Sequence, residues 1–220
     1  MTASGKPIGV FGGTFDPVHF GHLRPALEVL EELGLAEVRL VPVHVPAHRP
    51  MPAAAGDHRL DLLSLAVADI EGFRVDTREL ERPGPSYMVD TLESLRREFP
   101  AAPLCLILGM DSFLGLPTWH RWQELAELAH LGVLNRPGGE LPRDGVLADW
   151  LAPRRAASPA ALNERLAGAV YFHPVTQLSI SATRIRELIA GGRAPRFLVP
   201  EPVWRFIAAR GLYGWMADDR

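Results

Sequence analysis

The chain has 220 residues, 47% of them hydrophobic and 22% charged, and a formal net charge of -3. That length supports one large α/β domain with a substantial core, or two small ones. The charge balance excludes the basic footprint of a nucleic-acid binder or of a protein held on an anionic membrane, and no run of about 18 apolar residues offers a transmembrane span.

Met1 to Pro7 lacks the apolar core of a secretory signal, so the expected location is the cytoplasm. The first predicted strand spans 7–12 and runs into Gly12-Gly13-Thr14-Phe15-Asp16-Pro17-Val18-His19-Phe20-Gly21-His22. A helix pattern follows over 20–33, with Leu23, Leu27, Leu30 and Leu33 at three- and four-residue spacing and Gly34 as C-cap. Next come a strand at Val38 to Val43, a helix at 57–70 with Asp57 as N-cap, a strand at Phe73 to Asp76 and a helix at 88–98. The strand Leu104 to Leu108 contains Cys105, the only cysteine, which reads as a small core residue in a reducing compartment. A helix at 117–129 and a strand at Leu131 to Leu134 follow. The stretch 135–160, rich in Pro, Gly, Ala and Arg, reads as loop, with weaker helix patterns at 144–151 and 159–167. Val170 to Phe172 is the last strand. Helices at 181–191 and 200–210 close the chain, with Pro200 and Pro202 in the first turn of the second.

Repeated βα units with continuous apolar strands predict an α/β fold: a single Rossmann-like, doubly wound, mainly parallel sheet with C-terminal helices. Ligands are then expected at the carboxyl ends of the strands. One domain over 1–220 is expected, with a βα core at 7–180 and C-terminal helices at 181–220 carrying a second phosphate motif.

The chemistry concentrates at two helix starts. A strand, a glycine turn and a helix N-terminus gather free N–H groups and the positive end of the helix dipole where an anion can sit. His19 and His22, three apart in a first helical turn, share a face and point at that anion, and Gly21 leaves room above the helix. A metal site on this pair lacks a third ligand nearby. Neither G-x-x-x-x-G-K-[ST] nor G-x-G-x-x-G is present, which argues against a P-loop nucleotidase and a dinucleotide-binding oxidoreductase. The second start is Ile180-Ser181-Ala182-Thr183-Arg184-Ile185-Arg186, where Ser181 is a good N-cap and Arg186 offers a guanidinium for bidentate phosphate contact. Together the two motifs form the halves of a triphosphate clamp.

With both motifs in view, the chain resembles the nucleotidyltransferase superfamily marked by His-x-Gly-His and Ile-Ser-x-Thr-x-x-Arg, and within it the bacterial nicotinate-nucleotide adenylyltransferases. Pro46-Ala47-His48-Arg49 looks like that family's Pro-x-His-Lys segment. Glu79 to Leu92, containing Ser86-Tyr87 and Asp90-Thr91-Leu92, looks like its Ser-Tyr-Thr-x-Asp-Thr-Leu segment, and Gly109 to Ser112 with Leu116 to Trp119 like the segment shaping the pyridine site. The likeness spans nearly the whole chain and is weakest at about 138–165. Two positions depart from the pattern. Arg49 stands for Lys, which keeps the charge, and Lys6 is the only lysine of the chain. Met88 stands for Thr: a backbone contact tolerates this, whereas a hydroxyl contact would weaken the preference for nicotinate.

The resemblance implies transfer of the adenylyl group of ATP to nicotinate mononucleotide, with pyrophosphate leaving and no covalent enzyme intermediate. His19, His22 and Arg186 would be catalytic. Gly12, Gly13, Thr14, Phe15, Ser181, Thr183 and Arg49 would complete the ATP site. His48, Ser86, Tyr87, Met88, Asp111 and Trp119 would serve the acceptor, with Trp119 stacked on the pyridine and Trp122 turned to the core. Mg²⁺ would arrive with ATP, with Asp111 the side chain to watch and no metal cage built by the protein. The expected partners are these two small molecules, without nucleic acid or membrane; the oligomeric state stays open, a homo-oligomer included. The alternatives are a sibling acting on nicotinamide mononucleotide or phosphopantetheine, and a non-catalytic nucleotide-binding protein on the same fold.

Overall fold

The apolar runs become strands β1 (Ile8–Gly13), β2 (Glu37–Pro42), β3 (Val45–Pro46), β4 (Phe73–Val75), β5 (Pro85–Ser86), β6 (Leu104–Gly109), β7 (His130–Asn135) and β8 (Val170–Pro174). The structure, a computed structural model, describes residues 5–47, 50–135 and 141–216. Six strands form one sheet in the order β4-β2-β1-β6-β7-β8, with every pairing parallel, and β3 pairs with β5 in a small sheet of its own. From β1 the chain winds outward through β2 to β4. It then returns to the other side of β1 as β6 and winds outward through β7 to β8. β1 and β6 therefore flank the point where the winding reverses, and a crevice opens beyond their carboxyl ends.

Side chains alternate across the sheet as strand geometry requires. Val38, Leu40, Cys105 and Ile107 face one layer, formed by α1 (Phe20–Glu32), α2 (Gly56–Val67), α9 (Ala182–Ala190) and α10 (Glu201–Arg210). Val10, Val41, Leu104, Leu106, Leu131 and Val133 face the other. That layer uses α4 (Met88–Glu98), α5 (Met110–Leu114), α6 (Leu125–Leu128) and α7 (Gly145–Leu151). Short helices α3 (Arg78–Glu81) and α8 (Ala161–Glu164) complete the described helices. Cys105 is a fully buried core residue whose thiol is pushed up to about 12 by burial, as its place in an apolar strand predicts.

Two local expectations are corrected. Asp57 does not cap α2: Ala55 is the N-cap residue, and Asp57 lies in the first turn, where the dipole still favours its charge. No continuous helix spans 117–129. Leu116–Thr118 is a 3-10 turn, Trp119 is extended (φ -79, ψ 147), and Arg121 is left-handed (φ 50, ψ 37). A second 3-10 turn at Trp122–Glu124 then leads into α6. Arg121 is held there by Glu93 at 2.7 Å and by Glu124 at 2.9 Å, and Trp122 packs on Trp150 at 5.3 Å between ring centres. Tertiary contacts thus override a helix-like spacing.

Candidate active site

The turn after β1 is shaped by Phe15, whose left-handed backbone (φ 47) is unusual for a bulky side chain. Its ring is fully buried, edge-on to Phe11 at 6.0 Å and to His22 at 5.2 Å, so Phe15 supports His22 from below and does not line the cavity. The turn delivers His19 to the N-cap position of α1 and His22 to the first turn. Their rings stack at 3.7 Å with 24° between planes. The Nδ1 atoms of both are buried without a hydrogen-bond partner. Burial lowers His19 to about 4; burial and the neighbouring His19 hold His22 well below the ordinary imidazole value. Both rings are therefore neutral near pH 7, and an anion placed beside them would supply the counter-charge that favours their protonation.

Gly21 is required by contact. A Cβ there would lie 2.9 Å from His19 Nδ1 and 3.2 Å from the carbonyl oxygen of Ile180. Only glycine lets the histidine ring and the start of the second motif approach together. That second motif opens α9, whose first turn is capped by Ser181 Oγ accepting the Arg184 N–H at 3.2 Å, as the sequence predicts. Thr183 stands exposed in the same turn, and Arg186 Nη2 reaches its Oγ1 at 3.4 Å. Arg186 Nη1 donates to the Asp16 carbonyl at 2.6 Å. Two motifs far apart in sequence are thereby brought side by side.

A cavity of about 420 Å³ opens beside this turn, at the carboxyl ends of β1 and β6. Gly12, Gly13, Thr14 and His22 from the turn line it, together with Ser86, Tyr87, Met88, Asp111 and Trp119. Met88, the first residue of α4, reaches across: a Cβ on Gly12 would sit 2.6 Å from Met88 Cε. Tyr87 lies against His120 at 4.4 Å between rings, and Ser86 Oγ accepts the His44 N–H at 3.1 Å. Behind them Glu79, 1% exposed, accepts the Thr91 hydroxyl at 2.6 Å, and burial raises its carboxyl above the usual range. Glu79 and His120 line the cavity and escape the sequence reading, although His120 adjoins Trp119 and Glu79 opens the segment that carries Ser86. His19, Ser181, Thr183 and Arg186 do not line the cavity itself. His48 and Arg49 lie outside the described residues. Among the described residues no group of three or more His, Cys, Asp or Glu could hold a metal ion.

Known proteins resemble this chain along most of its length. The cytidylyltransferase-like family model matches residues 10–188. The probable nicotinate-nucleotide adenylyltransferase of Aeromonas salmonicida (strain A449) is 49% identical over 207 residues, covering 94% of this chain and 97% of that protein. A relative of the same name in Methylococcus capsulatus is 50% identical over 94% of this chain and 99% of its own length. The chain belongs to the nicotinate-nucleotide adenylyltransferase family. Its fold matches even remote nicotinate-nucleotide adenylyltransferases. The solved Plasmodium falciparum nicotinic acid mononucleotide adenylyltransferase complexed with NaAD superposes with a TM-score of 0.71 at 16% identity, over 96% of this chain and 99% of that one.

Proposed function

We propose that this protein transfers the adenylyl group of ATP to nicotinate mononucleotide, releasing pyrophosphate and forming nicotinate adenine dinucleotide for NAD synthesis. The carrying observation is that one cavity joins the Gly12-Gly13-His22 turn to the Ser86–Met88 and Trp119 wall at the reversal of the sheet. The mononucleotide phosphate attacks the α-phosphorus of ATP, the bond to the β-phosphate oxygen breaks, and pyrophosphate leaves. His19 and His22 stabilise charge on the α- and β-phosphates, and proton donation to the leaving group contributes about 10²–10⁴-fold. Arg186 and the helix start at Ser181 and Thr183 hold the outer phosphates, and Trp119 stacks on the pyridine. Met88 contributes its backbone N–H at the start of α4, which suits the nicotinate carboxylate and needs no hydroxyl. His48 and Arg49 supply further positive charge. Asp111 is the carboxylate on the cavity wall that would face Mg²⁺ carried by the triphosphate, and the ion would supply partial neutralisation of the phosphate charge. The chain works as one domain in the cytoplasm, and no helix among the described residues is long and apolar enough to cross a membrane.

The test is pyrophosphate release from Mg-ATP with nicotinate mononucleotide, nicotinamide mononucleotide and phosphopantetheine in turn. Release with nicotinate mononucleotide at the highest kcat/KM is expected. A preference for phosphopantetheine, or no release with any acceptor, overturns the reading.

A further inference from the structure

Asp16 lies three residues before His19, is only 3% exposed, and sits where four segments of the chain meet. Its Oδ2 accepts the Ala53 N–H at 2.6 Å, and its Oδ1 accepts the Ala54 N–H at 3.1 Å and the Tyr213 hydroxyl at 2.9 Å. Arg186 Nη1 stands 3.6 Å from Oδ2 while donating to the Asp16 carbonyl at 2.6 Å. Arg59, itself buried, locks the neighbouring backbone by donating to the carbonyls of Thr14 at 2.9 Å and Ala54 at 3.3 Å. Asp16 thus joins the phosphate turn, the residues before α2, the guanidinium of the second motif and the C-terminal turn.

Tyr213 reaches this junction from a left-handed backbone (φ 58, ψ 27) in the 3-10 turn Leu212–Gly214. A bulky residue persists in that region only where its surroundings over-determine it, and such outliers point to a functional constraint. Burial and the adjacent Asp16 charge raise the phenol well above its usual range, so it remains a hydrogen-bond donor throughout the working pH range.

We propose that Asp16 is a positioning residue for adenylyl transfer, held by Tyr213 and in turn fixing Arg186 against the phosphate turn. The chain's far end thereby sets the geometry of the triphosphate site. This rests on the ATP-dependent transfer proposed above. The Asp16 carboxylate already accepts from two amides and one hydroxyl and faces the Arg186 guanidinium at 3.6 Å. Its work is therefore orientation of Arg186, with no proton transfer in the reaction.

The experiment compares wild type, Tyr213→Phe, Asp16→Asn, Arg186→Ala and the double variant Tyr213→Phe/Arg186→Ala. Tyr213→Phe keeps the half-buried ring and deletes one hydroxyl. We expect it to weaken calorimetric ATP binding by about five- to tenfold, the scale of one net intramolecular hydrogen bond. The KM for nicotinate mononucleotide should change less than about twofold, and in the Arg186→Ala background the Tyr213 effect should vanish. Asp16→Asn should reproduce the ATP-selective loss. Unchanged ATP affinity in Tyr213→Phe overturns the proposal. So does an equal loss for both substrates, or full additivity with Arg186→Ala. If wild type releases no pyrophosphate, the transfer reading fails while ATP calorimetry still decides the role of Asp16.

Discussion

The most sensitive atom in the site is one the sequence leaves out, the Cβ of residue 21. Gly21→Ala would improve intrinsic helix propensity by about 1 kcal/mol. It would also push a methyl group to 2.9 Å from His19 Nδ1 and 3.2 Å from the Ile180 carbonyl. The histidine ring can rotate away; the carbonyl belongs to backbone that leads into α9 and cannot easily yield. We expect kcat/KM to fall at least about tenfold while the helical circular-dichroism signal is kept. An active Gly21→Ala enzyme would show that the stacked histidine pair and the second motif tolerate separation. The His19–His22 relation was legible in the sequence because a three-residue spacing needs no tertiary information. The Asp16–Tyr213 bond was not, because 197 positions separate its partners and nothing local marks either as a contact.

At the scale of elements, α4 shows how a short helix becomes a cavity wall. Its first turn is fastened by Thr91, whose hydroxyl donates to Glu79 at 2.6 Å and accepts from Arg82 Nη2 at 3.2 Å. Arg82 Nη2 also donates to the Tyr87 carbonyl at 3.3 Å. Thr91→Val preserves shape and removes both bonds, leaving Glu79 buried and less satisfied. A stability loss of about 1–3 kcal/mol is expected by urea denaturation, with the KM for the acceptor raised more than the KM for ATP. An unchanged acceptor KM would detach this cluster from recognition. The main strands were readable as continuous apolar runs, since strands covered on both faces carry few polar residues. β3 and β5 were not, because two-residue pairings are too short to show any period. The helix at 117–129 misled for the opposite reason. Trp122, Leu125 and Leu128 have helical spacing, yet Arg121 breaks the backbone with a left-handed residue fixed by carboxylates elsewhere.

For the molecule as a whole, a parallel sheet makes its two ends unequal. The carboxyl ends carry the cavity, and the amino ends carry a structural clamp. Arg96 donates to the carbonyls of Phe99, Ala102, Leu128 and Leu166, on the segments that enter β6, β7 and β8. Arg96→Met should cost about 1–3 kcal/mol with kcat nearly unchanged, as seen by paired denaturation and turnover measurements; a matched loss of kcat would mean the two ends communicate. Acid should weaken both ends together. His130 at the amino end accepts the Ala169 N–H at 3.0 Å on Nδ1, pairs through Nε2 with the Arg165 carbonyl at 2.8 Å, and is lowered by burial. His19 and His22 are lowered likewise. Each group binds its proton more weakly folded than unfolded, so the stabilisation is complete above the ordinary value of 6.5. It is lost as pH falls from there toward about 4, the folded value of His19. The unfolding midpoint should drop steadily across that window, and a flat profile would contradict neutral buried rings.

The stacked pair His19–His22 also bears on how a turnover ends. Two uncharged imidazoles exert no net charge attraction on anions, so under the proposed reaction the pair would become a cation only while a polyanion is present to share the proton. In the proposed reaction, donating that proton to the departing pyrophosphate would return the rings to their neutral state, so the pair would lose its hold on the product in the same event. A site whose charge exists only during occupancy resets itself, and neither ring needs to move for it to do so.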